Sequence, residues 1–271
     1  MRSRERPRFI RRTTRAVGLH CVFEKPFHEV PGSIERVVDA LLDERWPWRP
    51  KLMRQRVAVG MTTLRKFKQR IPKNAREELI GALSTPEIGV LELHAAARDD
   101  LDDAWLDMMT GREPLLERRK FSVLALCRLE GMPPECPIEG WIEVMHDLVA
   151  AVGAVHGILV CEEEEHIVQE LYLGLIVRNG VPSYARWREI DRCAGAWIGS
   201  RHVRFPRWGT YLRREHVEVV GGRARIAEVV KPAAMRSVGE LLFVQLTESP
   251  AIHDEVKQAA FTELLAPLLP P

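Results

Sequence analysis

The sequence predicts an α+β protein: a mixed, mostly antiparallel sheet with helices packed on it. Two observations carry this. Short runs of β-branched and aromatic residues alternate irregularly with amphipathic helical stretches, without the regular β-α-β order of a parallel sheet. Turn residues also recur at close intervals between them. At 271 residues, 46% hydrophobic and 29% charged, the chain can bury a core without disulfide or metal staples.

Each element has a local reason. AVGLHCVFE (16–24) is rich in strand-forming residues and reads as the first strand. Ser33 is placed to cap a helix to about Glu44, with Ile34, Val37, Val38, Leu41 and Leu42 on one stripe. In RWPWRPKLMRQRVAV (45–59) two prolines exclude a helix at the start, so a loop leads into a strand near Val57–Met61. A short helix follows from Asn74 to Leu83, ended by Ser84-Thr85-Pro86, and GVLELHA then alternates as a strand. The acidic DDLDD (99–103) suits the positive end of a helix dipole, which predicts a short helix through Met109. FSVLALCRL (121–129) is strand-like.

Ile138–Val152 forms a helix with Trp141, Ile142, Met145, Leu148 and Val149 on one stripe, and HGILVC (156–161) a strand. EEEEHIVQELYLGLIV (162–177) fits a helix or a strand, and PSYARW starts a helix. MRSVGELLFVQLT (235–247) reads as a strand or a hairpin about Gly239, and a helix over about Asp254–Leu265 closes the chain. The expected organisation is a single α+β domain over 1–271. The Pro-rich MPPECP loop separates sub-halves of about 1–132 and 133–271, and residues 1–15 form a basic arm.

No apolar run approaches the roughly 20 residues needed to span a bilayer, and the basic first residues lack the apolar core of a secretory signal. Five cysteines, Cys21, Cys127, Cys136, Cys161 and Cys193, are widely spaced with no CxxC, which suits reduced thiols in a cytoplasm. The net charge of +2 conceals segregation. Residues 1–76 carry 20 Lys and Arg against 7 Asp and Glu, and residues 77–170 carry 6 against 21. Such blocks either steer a charged partner or face each other in the fold and cancel.

Motifs for chemistry are lacking. His156-x4-Cys161-x4-His166 is too widely spaced for a usual zinc site, and on a strand His156 and Cys161 point to opposite faces. No GxSxG, GxGxxG or P-loop occurs. No catalytic residue, metal ligand or cofactor site is therefore assigned. Two acidic clusters, Asp99, Asp100, Asp102 and Asp103, and Glu162, Glu163, Glu164 and Glu165, must lie in water or face a cationic partner. They are the candidate partner-binding residues. RPKLMRQR and LRKFKQR, with Trp46, Trp48 and Phe67, leave nucleic-acid binding as the alternative.

FPRWGTYLRREHVEVVGG (205–222) is the most distinctive stretch. Pro206 forces extended backbone, Gly209 permits a bend, and Trp208 and Tyr211 bring large rings to bury. Arg213–Val220 fits a short helix with Gly221 past its C-terminus in the left-handed region, and Gly222 leads into a second helix stopped by Pro232. These features read as architecture.

The order WGTYL, EHVEVVGG, helix, ELLFVQLT resembles the C-terminal region of the bacterial immunity protein family associated with type VI secretion. Trp208, Thr210, Leu212, Val217, Gly221 and Gly222 match that family's pattern; Tyr211 lies inside it, and Arg207 departs from it. The match spans about a quarter of the chain. The resemblance implies a cytoplasmic α+β protein that binds and neutralises a cognate toxin in bacterial competition, with no catalytic residues. The expected partner is then a toxin that is basic where it is contacted.

Overall fold

In the computed structural model of the protein the described residues are 15–25, 29–45, 52–59, 63–70, 75–85, 88–94, 104–109, 122–129, 138–163, 177–178, 181–182, 202–203 and 206–269. The sheet is built around β1 (Arg15–Phe23). Ala16 through Cys21 are buried in unbroken sequence, as a strand covered on both faces requires. β1 pairs with β7 (Ala154–Glu163) on one side and β6 (Ser122–Arg128) on the other. From edge to edge the order is β11 (Ala234–Val238), β12 (Leu241–Gln245), β10 (Gly209–Arg213), β7, β1, β6, β5 (Ala104–Met109), β4 (Ile88–His94), β2 (Leu52–Val59) and β3 (Thr63–Arg70). A separate pair joins β8 (Val177–Arg178) to β9 (Val181–Pro182). Every described pairing is antiparallel.

Helices cover both faces. α1 (Ser33–Leu41), α2 (Ala75–Ser84) and α3 (Ile138–Ala151) share one core with the sheet, where Val37, Leu79, Trp141 and Met145 meet Leu19, Leu93, Leu106 and Leu159. α4 (Arg214–Val219), α5 (Gly222–Val230) and α6 (Glu255–Leu264) share a second core, in which Val220, Ile226 and Phe261 pack with Leu212 and Val244. Side-chain alternation sorts the two: on β10 Tyr211 enters the first core and Leu212 the second, and on β12 Phe243 and Val244 divide likewise. The architecture is α+β.

Four local expectations are corrected. The helix expected through Met109 is strand β5, because Leu106 and Met108 sit two apart and both are buried. The strand expected near Val57–Met61 starts earlier, running from Leu52 to Val59 as β2, and is hairpinned to β3, which carries the basic LRKFKQR. Ser33 is the first residue of α1, and Gly32 takes the cap position with φ +68° and no side-chain bond. Gly209 is no bend but the first residue of β10. The hairpin about Gly239 forms as β11 and β12. Residues 164–176 and 183–200, which include the ambiguous acidic-to-apolar stretch and the expected PSYARW helix, lie outside the described residues, as does the arm before Arg15.

Candidate partner-binding surface

The WGTYL stretch forms β10, the third strand from one edge of the sheet. β10 pairs with β7 through Tyr211↔Gly157 and Leu212↔His156, and with β12 through Gly209↔Gln245 to Arg213↔Leu241. Two glycines make room for rings. A Cβ on Gly157 would meet the Tyr211 ring at 3.1 Å, and one on Gly209 would strike the Phe243 ring at 2.6 Å. Tyr211 is wholly buried, and its hydroxyl hydrogen-bonds Nδ1 of His146 at 2.8 Å. The His146 and Phe243 rings meet edge to face at 4.5 Å. On the other face His156 Nδ1–H donates to the Tyr211 carbonyl at 2.7 Å, and its ring stands 6.2 Å from that of His216.

These groups are built to stay neutral. Burial, aided by the charge of Arg236, pushes the His146 imidazole down to about 3. Burial and Arg213 push His216 down to about 4. Burial raises the Cys21 thiol to about 12 and also raises Cys161 and Tyr211. Gly221 and Gly222 take φ +91° and +90°, turning the chain between α4 and α5, which no β-carbon would permit without strain. Trp208, Thr210 and Tyr211 are buried, Thr210 and Tyr211 fully so on β10.

The surface beside this stretch is more open. A cleft of about 50 Å³, room for a few waters or one inserted side chain, is lined by Arg15, Cys161, Glu162, Arg207, Trp208 and the segment Leu246–Asp254. Its wall is pinned by hydrogen bonds. The Trp208 indole N–H donates to the Thr247 carbonyl at 3.0 Å, and Gln245 donates to the same oxygen at 2.9 Å. The Thr247 hydroxyl lies 2.9 Å from the carbonyls of Ser249 and Ile252. Asp254 caps α6 by accepting from the Lys257 N–H, and Gln258 reaches the Pro206 carbonyl at 3.1 Å.

Of the candidate partner-binding residues, Glu162 lines this cleft and is half-buried. Glu163 ends β7 in register with Arg15. Asp99, Asp100, Asp102, Asp103, Glu164 and Glu165 lie outside the described residues. At the far edge, the register pairs Arg54 with Lys68 and Arg56 with Lys66, and sets Glu92 beside Arg54 and Asp107 beside Glu92. Basic and acidic thirds therefore meet along at least one cross-strand row. The loop from Thr247 to Asp254 and the start of α6 carry no motif in the sequence. Ile252 in that loop and Val256 in the first turn of α6 are isolated in a polar segment and look like ordinary exposed residues there.

No family model matches the sequence, and no curated protein matches it. Among solved structures, the Pseudomonas aeruginosa T6SS protein PA0821 superposes with a TM-score of 0.60 at 10% identity, over 94% of this chain and 73% of that one. At that identity the likeness is one of fold: this chain shares its architecture with a type VI secretion system protein.

Proposed function

We propose that this chain is a cytoplasmic immunity protein of a type VI secretion toxin–immunity pair, which binds its cognate toxin and neutralises it by occluding the toxin's active site. The observation that carries the reading is the fold shared with a T6SS protein along nearly the whole chain. Segregated charge supports it, since opposed charge blocks raise the rate at which two proteins find each other. His146 and His216, whose imidazoles burial pushes down to about 3 and 4, are weak bases, and the Cys21 thiol is raised to about 12, so these buried groups are poorly suited to proton transfer or attack. The acidic clusters, Glu162–Glu165 above all, are the contact surface in this reading. The test is co-expression with the product of the neighbouring reading frame. Growth arrest by that product alone, relieved by this chain, supports the role; arrest that persists in its presence refutes it.

A second reading has one specific observation behind it. β2 and β3 place Arg54, Arg56, Lys66 and Lys68 in adjacent cross-strand pairs, a grid of positive positions that would suit a phosphate backbone. Glu92 and Asp107 on the same row favour internal compensation instead. Retention on immobilised DNA with a steep salt dependence would decide for nucleic acid, and passage through the column at low salt against it.

A further inference from the structure

α4 is held to the sheet by a histidine. Of its six residues only His216 is buried, at 2% exposure, and neither of its ring nitrogens has a hydrogen-bond partner among the described residues. Such a position ordinarily takes an aliphatic side chain, because a buried polar group without a partner costs stability. The groups around it are cationic or become so in acid. On β7 the fully buried His156 stands ring to ring with it at 6.2 Å. On β10 Arg213 sits just before the helix, paired with Glu24 at 3.2 Å and Glu215 at 3.4 Å, while Tyr211 faces the other core. Half-buried His202 ties its Nδ1 to the Leu268 carbonyl at 3.2 Å. β12 and the 3-10 turn Ala266–Leu268, which also pack on α4, bring no titratable side chain. α5 brings Arg223, bonded to the Met235 carbonyl, and Arg225, paired with Glu228. Arg213 and His202 oppose a proton on His216, and exposed Glu215 on α4 itself favours one.

Little else holds the helix. Six residues are too few to stay helical alone, Arg213 at the N-cap makes no side-chain cap bond, and the Arg214–Glu218 pair is exposed and therefore weak. Val217 is half-buried and Val219 is 57% exposed. The chain leaves α4 through Gly221 and Gly222, both at positive φ, a joint with wide backbone freedom. We infer that α4 is an acid-released latch: protonation of His216 frees the helix from the sheet about Arg213 and the Gly221–Gly222 joint, uncovering Leu212 and Val244 of the second core while the first core keeps its packing. The sign follows from where the imidazole titrates. With α4 closed it does so near 4, and in the open chain near 6.5, so closure is fully favoured above pH 6.5 and weakens as pH falls toward 4. His146 resists protonation too, but it sits on α3, where eight of 14 residues are buried, and no small opening frees it.

Hydrogen exchange of the full chain tests this, read by mass spectrometry on peptides from α4 and β1 and corrected for the intrinsic pH dependence of amide exchange. Protection of α4 should fall roughly thirtyfold between pH 7.5 and 5.0. It should not respond to low urea, because a local opening exposes little surface. β1 protection should be higher at both pH values and should fall with urea. His216→Leu places an apolar side chain in the same site, and its α4 protection should be equal at the two pH values. Three results would each overturn the inference: wild-type α4 protection that ignores pH, an equal fall in His216→Leu, or a urea dependence at α4 as steep as at β1. The first and third need only the wild-type chain, so a variant that fails to fold leaves the test standing.

Discussion

The hydroxyl of Tyr211 on β10 lies 2.8 Å from Nδ1 of His146 on α3, joining the sheet to its helical layer through the one polar atom of a wholly buried ring. Tyr211→Phe keeps the ring and removes the bond, leaving the His146 imidazole, whose Nε2 has no partner among the described residues, without its Nδ1 bond as well. A buried group left without its partner costs about 1–3 kcal/mol. Urea unfolding should show a loss of that size with an unchanged m-value.

Acidification should destabilise the fold. In the folded chain His146 titrates near 3 and His216 near 4, against about 6.5 for the unfolded imidazole. Above pH 6.5 both states are neutral and nothing is lost. As pH falls below 6.5 the unfolded chain takes up protons that the folded chain refuses, so stability falls through the window down to about 4 and 3. The slope is at most about 1.4 kcal/mol per pH unit for each histidine. Arg236 near His146 acts in this direction, as do Arg213 and His202 near His216, against an opposing Glu215. Urea midpoints at pH 7.5 and 5.0 check this: the drop should be plain in the wild type and smaller in His216→Leu.

Two glycine-to-alanine changes should have opposite signs. At Gly209 the new Cβ would lie 2.6 Å from the Phe243 ring and 3.1 Å from Leu159 Cβ, inside a packed sheet. Overpacking of this kind costs about 1–3 kcal/mol. At Gly81, exposed within α2, nothing lies within 4 Å, so alanine should stabilise by about 0.5–1 kcal/mol through helix propensity. Thermal melts of the two variants compared with the wild type give the signs directly.

Trp208→Phe should loosen the loop from Thr247 to Asp254 without unfolding the sheet. The indole N–H bond to Thr247 is lost, while the Gln245 bond to the same carbonyl remains. Loss of one bond worth about 1 kcal/mol corresponds to roughly fivefold faster local opening. Hydrogen exchange at the Ile252 amide should speed up by that factor, with β1 amides unaffected.

The parts of the fold legible in the sequence are those where a single period dominates. The α3 stripe of Trp141, Met145 and Leu148 and the Gly221 turn into α5 were read nearly to their boundaries. β5 is hard to read because the acidic residues before it suggest a helix start, while the decisive alternation of Leu106 and Met108 is only two residues long. β3 carries little strand signal because strand-forming residues are sparse among its cations, and pairing with β2 supplies what propensity does not. Of the surface, the carboxylates were visible because charge runs are conspicuous. Ile252 and Val256 were not, since single apolar residues in a polar segment are ordinary in a sequence.

The central claim is that the chain neutralises a toxin by stoichiometric binding. Titrating the chain into the purified product of the neighbouring reading frame, while following that protein's own activity, measures this most directly. A binding role predicts that activity falls linearly and is abolished at one chain per toxin, with the inhibition relieved as salt is raised. Full activity at a tenfold excess of the chain would contradict it.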